Sequence, residues 1–305
     1  MTETMPLVSV IMPSFNQRGF IAEALDSVFS QDYPSVEVFV ADGASTDGTP
    51  AYLAERSARD PRLRWLSEPD TGPAQALNRA LSKARGTVIG WLNSDDMYTS
   101  GAISRAVAAF EANPEWLMAY GHGEHVDIDG KLIAPYPTQK PEGPLERFAD
   151  GCFICQPTAF FLRSLPVLIG PIDESFRASF DFDYWVRAFS AFPERIGFVD
   201  AVQAKSRLHE GGITARQRRD VAIEGMRIAT CICGHAPSHW FSTYCEEMMA
   251  LPEDKRPADL KAHMLETFEE CAKYLDEADI SKMCRAIESY TIAQLQSVDA
   301  ESSRS

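Results

Sequence analysis

The chain has 305 residues, 45% apolar and 24% charged, which suits a globular protein with one large domain or one large domain plus a smaller appendage. Its formal net charge of −15 argues against a nucleic-acid partner and against electrostatic docking on anionic lipid. No run approaches the roughly 20 apolar residues of a transmembrane segment, and the N-terminus lacks the pattern of a secretory signal. We therefore expect a cytoplasmic protein, with peripheral attachment to the inner face of the membrane left open.

Strand and helix patterns alternate through the first 112 residues. Short apolar runs predict strands at 7–12, 36–41, 63–66 and 87–92. Apolar residues at helical spacing predict helices at 20–29, 50–58, 74–84 and 100–112, with Asn16 as a cap for the first. Repeated strand–helix units predict a parallel sheet with helices on both faces. Ligands of such sheets bind beyond the carboxyl ends of the strands.

The second half has a different pattern. Residues 124–128 and 131–134 flank Asp129-Gly130 and predict a hairpin. Further strands are predicted at 156–162, 196–199 and 202–208, and a helix at 183–192. After about residue 220 the chain becomes helical and acidic, which predicts a separate C-terminal extension.

Acidic residues follow several of the predicted strands in the first half. Asp95 and Asp96 end the fourth strand, and although a solvated turn would explain them, Mg²⁺ and Mn²⁺ are held by one or two carboxylates plus phosphate oxygens. Asp42 and Asp70 lie where a carboxylate can accept hydrogen bonds from a base or a ribose. The sequence has neither GxxxxGK[ST] nor GxGxxG, so a metal is the natural way to hold phosphates.

Cysteine and histidine pairs offer a second kind of metal site. Cys152 and Cys155 form a CxxC pair, and His122 and His125 lie three residues apart. Neither pair belongs to a set of four zinc ligands at the usual spacing. We interpret the cysteines as reduced thiols and these histidines as incidental.

Several ordered motifs together resemble the family 2 glycosyltransferases. They are VSVIMPSFNQRGFIAEALDSVFSQDYPSVEVFVADGASTDGT, EPDTGPAQALNRAL and ARGTVIGWLNSDD, and the similarity covers about residues 6–215. The resemblance implies a GT-A fold, which is a Rossmann-like α/β fold with a mixed, mainly parallel sheet flanked by helices. We expect a domain over 1–219, with a nucleotide-sugar half at 1–112 and an acceptor and catalytic half at 113–219, and a helical extension over 220–305.

The resemblance also assigns donor contacts. Pro13, Ser14 and Asn16 match the loop that lies against the nucleotide, and Asp42 and Asp70 match the acids that hold base and ribose.

The motif of the DxD type is matched by Asn93, Asp95 and Asp96, with Asn93 and Asp95 also among the nucleotide contacts. Because Asn93 replaces the usual first acid, either aspartate could be the direct ligand of Mn²⁺ or Mg²⁺, and Asp95 is favoured.

The remaining matches concern catalysis. Asp181, in FDFDYWVR, matches the expected general base, and Asp183 is its rival. His209, in RLHEGGIT, matches the histidine that approaches the donor diphosphate or the metal. The resemblance implies an inverting enzyme that moves a sugar from a nucleotide-sugar donor to an acceptor hydroxyl. The QxxRW motif of processive synthases is absent, which favours a single addition.

Donor and acceptor identity stay open at this point. UDP-sugars dominate the family and are favoured, followed by dTDP- and GDP-sugars. The acceptor could be a lipid-linked glycan, a polysaccharide, a protein or a small molecule, and the helices after 220 could cover its site or form a homodimer contact. Two alternatives are a non-catalytic nucleotide-sugar-binding protein and a sugar-1-phosphate nucleotidyltransferase. The latter usually has a Gly-rich basic loop where this chain has Pro13–Asn16.

Overall fold

The structure is a computed structural model that describes residues 5–285 and residue 287. The chain divides into two compact units. The first contains the residues up to Gly143 together with Cys152–Ala215, and the second contains Pro144–Gly151 together with the chain from Arg216. Of the predicted extension over 220–305, residue 286 and residues 288–305 lie outside the described part. The domain boundary at 219 stays a prediction.

The strands of the first unit form one mixed sheet. They are β1 Val8–Ser14, β2 Val36–Asp42, β3 Leu63–Ser67, β4 Val88–Trp91, β5 Met97–Tyr98, β6 Met118–Val126, β7 Leu132–Pro135, β8 Phe160–Leu162 and β9 Ile196–Arg207. Their order is β3-β2-β1-β4-β8-β6-β9-β5, and β7 pairs with β6. Pairing is parallel from β3 to β4 and between β6 and β9, and antiparallel elsewhere.

Helices connect these strands or follow the last of them. They are α1 Ile21–Phe29, α2 Thr49–Arg59, α3 Pro73–Lys83, α4 Ala102–Ala112, α5 Leu165–Ile169, α6 Phe180–Ala191 and α7 Ile213–Arg216. The helical stripe of α1 buries Ile21, Leu25 and Val28 in the same core as the strand residues Val10 and Val38. Each such aliphatic side chain stabilises the fold by about 1.5–3 kcal/mol when fully buried. The predicted α/β architecture is confirmed.

Three local predictions were wrong, and one short strand was missed. Asn16 does not cap α1, because its backbone has a positive φ of 53° and the helix begins beyond Phe20. The strand expected at 156–162 is a 3₁₀ turn, Gln156–Thr158, followed by β8. The strands expected at 196–199 and 202–208 are one strand, β9, whose pairing with β6 shifts register at His122. The two-residue strand β5 was not predicted, since it depends on distant pairing with β9.

The second unit is helical. It contains the 3₁₀ segment Leu145–Asp150, α8 Arg218–Cys233, α9 His239–Ala250, α10 Leu260–Cys271 and a helical stretch at 277–285. Its own core includes Met226, Phe241, Tyr244 and Phe268. Across both units, none of the helices that the structure describes combines the length and apolar character needed to span a bilayer.

Candidate functional site

The predicted donor residues lie at one edge of the sheet. Because β1, β2 and β4 are parallel, their carboxyl ends point the same way, and Ser14 pairs in register with Asp42 at that edge. Pro13 and Ser14 are buried at the end of β1, and the hydroxyl of Ser14 has no hydrogen-bond partner within the described structure. A buried polar atom without a partner costs about 1–3 kcal/mol, so a ligand group here would be stabilising.

Asp42 is held by the protein itself. Its carboxylate accepts hydrogen bonds from the backbone N–H of Ser45 at 2.9 Å and from the hydroxyls of Ser45 and Ser67 at 2.5 and 2.6 Å. Asn16 links the same loop to β1, because its N–H donates to Ser45 Oγ and its side-chain oxygen accepts from Thr46 N–H. In this structure Asp42 and Asn16 therefore shape the loop 43–46.

Asp70 lies beside the aromatic ring of Phe15, which no sequence motif marked as a site residue. A Cβ placed on Gly43 would lie 2.7 Å from Asp70 Oδ2 and 3.3 Å from Phe15 Cδ2, so these three residues meet and the close approach needs glycine. Phe15 is 54% exposed, although large aromatic side chains are usually buried. Burial raises the pKa of Asp70, while the hydrogen bond from Gly72 N–H lowers it. The detectable signal was an aromatic residue inside the polar loop after β1.

Asp95 and His209 come together although they are 114 residues apart in sequence. His209 Nε2 lies 2.9 Å from Asp95 Oδ2, and the imidazole packs on the ring of Phe20 at 4.7 Å between centroids. The His209 side chain is 8% exposed and the Asp95 side chain is 16% exposed, so each keeps a small accessible surface. Nearby, Asn93 accepts a hydrogen bond from Trp91 Nε1 at 3.2 Å.

Asp96, the third predicted metal ligand, has a different environment. It is buried, and its Oδ1 accepts a hydrogen bond from Arg207 N–H at 2.9 Å. Burial, followed by the neighbouring carboxylate of Asp95, raises the pKa of Asp96 well above its ordinary value. No group of three or more His, Cys, Asp or Glu side chains in the described part of the chain is arranged to hold a metal ion.

The remaining pair of Asp95 and His209 fits a hard divalent cation that takes its other ligands from outside the protein. Mg²⁺ is commonly bound through one or two carboxylates with substrate phosphates and water completing the octahedron. Imidazole also suits several divalent transition metals. The donor set therefore fits a cation that arrives with a diphosphate.

The first turn of α6 is fixed over the end of β4. Phe180 stacks on Trp91 with 5.8 Å between ring centroids and 15° between planes. Asp181 in that turn acts electrostatically on Cys155, whose pKa is raised by burial first and then by Asp96, Cys152 and Asp181. The thiol of Cys155 is thus a shared neighbour of the predicted base and of the Asp95–Asp96 end of the sheet.

Asp183 faces a different set of residues. Its Oδ2 accepts a hydrogen bond from Arg187 Nε at 2.8 Å, one helical turn along α6. Arg187 also donates to the carbonyl oxygens of Ile169 and Pro171. Asp183 therefore helps to tie α6 to the preceding loop. These contacts distinguish it from Asp181.

Comparison with known proteins gives a consistent identification. The sequence profile described as Glycosyl transferase family 2 matches residues 9–165, just over half of the chain. A chondroitin synthase of Pasteurella multocida is 34% identical over 129 residues, which is 42% of this chain and 13% of that protein.

Two solved structures share the fold. Staphylococcus aureus TarS 1–349 in complex with UDP-GlcNAc has a TM-score of 0.62 at 20% identity, covering 87% of this chain and 81% of that one. The mannosyltransferase PcManGT of Pyrobaculum calidifontis, in complex with GDP-Man and Mn²⁺, has a TM-score of 0.57 at 20% identity, covering 96% and 85%. The mixed α/β fold of this chain is therefore the GT-A fold, and the chain belongs to glycosyl transferase family 2.

Proposed function

We propose that this glycosyltransferase transfers a single sugar, with inversion, from a nucleoside-diphosphate donor to an acceptor hydroxyl. A divalent cation, Mn²⁺ or Mg²⁺, would be held by Asp95 and His209. The observation that carries the proposal is the contact of Asp95 with His209 at the sheet edge that also holds Asp70 and Phe15. Asp181 and Asp96 both act electrostatically on the buried thiol of Cys155, which is consistent with a general base close to the same edge.

The donor base would lie between the loop after β1 and Asp70. The exposed ring of Phe15 offers a stacking face, and the Asp70 carboxylate offers an acceptor for a base N–H or a ribose hydroxyl. Ser14 adds a buried hydroxyl that has no partner in the described residues. We expect UDP, in line with the UDP-GlcNAc complex of TarS. The GDP-Man complex of the mannosyltransferase makes GDP the next base to test.

The diphosphate would meet Asp95 and His209. A divalent cation bound there would neutralise the negative charge that builds up on the leaving nucleoside diphosphate. The chain's own contribution is to orient the two ligand side chains, which the Asp95–His209 contact and the Phe20 ring already do. Asp96 supports the loop by accepting from Arg207 N–H.

Asp181 is the proposed general base. As the acceptor oxygen forms its bond to the anomeric carbon, the proton of that hydroxyl passes to the Asp181 carboxylate, and the bond from the anomeric carbon to the diphosphate oxygen breaks. A single displacement of this kind inverts the anomeric configuration. The Asp181 carboxylate acts electrostatically on the half-buried Tyr136 and Cys152 and on the buried Cys155, so it lies in the region of these weakly polar side chains.

The assignment predicts different outcomes for the two acids of α6. Asp181→Asn should lower kcat by about 10²–10⁴-fold while the Kd of the nucleotide stays unchanged, because only proton removal is lost. Asp183→Asn should change kcat by less than about tenfold. It should instead destabilise the fold by about 1–3 kcal/mol, because the ion pair with Arg187 is lost and only a weaker hydrogen bond to a neutral amide oxygen can remain.

Both variants are measured by steady-state kinetics, nucleotide titration calorimetry and urea unfolding. Asp183→Asn serves as the matched control, since it removes the same charge from the same helical turn. Near wild-type turnover in Asp181→Asn, with a large loss in Asp183→Asn, would assign the base to Asp183.

We further propose that the enzyme works in the cytoplasm, where nucleotide sugars are available. All seven cysteines are free thiols, which suits a reducing compartment. The similarity to a chondroitin synthase supports a hydroxyl of a glycan as the acceptor.

A further inference from the structure

Arg207 is a buried arginine at the end of β9, and each of its side-chain nitrogens donates to a protein group around the proposed metal ligands. Its Nε donates to the carbonyl oxygen of Asp95 at 3.0 Å, and its backbone N–H donates to Asp96 Oδ1 at 2.9 Å. Its Nη1 donates to the carbonyl oxygen of Ile128, and its Nη2 donates to Glu23 Oε2 at 2.6 Å. One side chain therefore joins the Asp95–Asp96 loop to the β6–β7 turn and to α1.

An aromatic ring extends this network to His209. The guanidinium carbon of Arg207 lies 5.0 Å from the centre of the Phe20 ring, and the same ring packs against His209 at 4.7 Å. His209 in turn contacts Asp95 Oδ2. Asp95 is thus held through its backbone by Arg207 and through its carboxylate by His209, and the two holding side chains share Phe20.

The charges in this region explain why a positively charged side chain is needed there, even before a metal ion binds. Asp95 and Asp96 are adjacent acids, and Asp96 is buried. Bringing such carboxylates out of water is costly unless positive charge and hydrogen bonds compensate. Arg207 is 1% exposed and supplies that charge from the interior, while its partner Glu23 is 62% exposed on α1.

We propose that Arg207 is the positioning residue that fixes the Asp95–Asp96 loop and the His209 ring in the geometry that receives the divalent cation, with Glu23 and Phe20 as its supports. This inference rests on the proposed function, since it assumes that Asp95 and His209 hold the cation. Residues that orient metal ligands typically contribute 10–100-fold to metal affinity.

The geometry requires an arginine in particular. A guanidinium is planar and presents five donors in a fixed fork, so it can bond to the carbonyl oxygens of Asp95 and Ile128 and to Glu23 at the same time. A lysine ammonium keeps the charge but is a compact group on a flexible stem. Arg207→Lys should therefore preserve the charge balance and lose the positioning.

The test is a direct titration of the full chain with Mn²⁺ in the presence of UDP, dTDP, GDP or CMP. The electron paramagnetic resonance signal of the free ion measures how much Mn²⁺ is bound. Arg207→Lys should raise the Kd of Mn²⁺ by about 10–100-fold, and Glu23→Gln by about tenfold. Glu23→Gln should leave the metal-free unfolding temperature near that of the wild type, because Glu23 is 62% exposed. Arg85→Lys is the control for loss of a guanidinium fork outside the site, because Arg85 is 61% exposed and donates through Nε and Nη2 to the buried Glu37 near the start of β2.

Each outcome has a defined meaning. If the wild-type chain does not bind Mn²⁺ in the presence of any of the four nucleotides, the metal part of the proposed function is refuted, and the inference with it. Wild-type binding with an unchanged Mn²⁺ Kd in Arg207→Lys would overturn the inference alone, as would an equal loss in Arg85→Lys. If Arg207→Lys fails to fold, Glu23→Gln decides, because Glu23 is on the surface, and an unchanged Mn²⁺ Kd there would overturn the proposal.

Discussion

The acids at the sheet edge differ in what already binds them. Asp42 accepts hydrogen bonds from Ser45 and Ser67, whereas Asp70 accepts from the backbone N–H of Gly72 and Asp95 contacts His209 through one oxygen. A carboxylate has about four lone-pair sites, so Asp70 and Asp95 keep capacity for a ligand. Single residues are therefore distinguished by their partners, which a sequence motif does not specify.

Phe15 gives a prediction at this scale. Stacking of a base on an aromatic ring contributes about 1–3 kcal/mol, as measured by alanine substitution. Phe15→Ala should therefore raise the Kd of the nucleotide by about 5–150-fold, whereas Phe15→Tyr should retain binding because it keeps the ring. Titration calorimetry with the preferred nucleotide measures both. Equal affinity of Phe15→Ala and wild type would remove Phe15 from the donor site.

At the scale of elements, the close approach of β6 to the segment that carries Cys155 positions the site. A Cβ on Gly123 would lie 2.4 Å from Cys155 Sγ and 3.3 Å from Thr158 Cγ2. Since Cys155 is the shared neighbour of Asp96 and Asp181, the absence of a side chain at Gly123 lets these groups approach one another.

Gly123→Ala should therefore displace Cys155 and destabilise the protein by about 1–3 kcal/mol through overpacking. Gly19→Ala is the control, because a Cβ there has no neighbour within 4 Å. Urea unfolding reports stability, and kinetics should show a lower kcat in Gly123→Ala with nearly unchanged nucleotide binding. Wild-type stability and kcat in Gly123→Ala would show that the approach is not constrained.

Elements with a strong local pattern could be predicted from the sequence, and those that depend on distant partners could not. The apolar stripe of α1 was sufficient to predict this helix, because it faces the core along its whole length. By contrast, β5 is a two-residue strand that exists through pairing with β9, and β8 is only three residues long and runs antiparallel to β4. Neither the length nor the direction of such strands is encoded in local periodicity.

At the scale of the whole molecule, every residue proposed for the donor and the chemistry lies in the first unit. The positions of Phe15, Asp70 and Asp95 after β1, β3 and β4 followed from the repeated strand–helix pattern. The contact between Asp95 and His209 did not, because only the folded sheet brings residues so distant in sequence together. For His209, the sequence offered a family resemblance in place of a physical reason.

Thermal unfolding of the full chain tests the central claim most directly. UDP, dTDP, GDP and CMP are each added with Mn²⁺, with Mg²⁺ and with EDTA. A ligand at 100 times its Kd stabilises the folded state by about 2.7 kcal/mol, which corresponds here to a rise of about 5 °C in Tm. We predict such a rise for one nucleotide, UDP, and its loss in EDTA. An unchanged Tm with every nucleotide and metal would contradict a metal-dependent donor site.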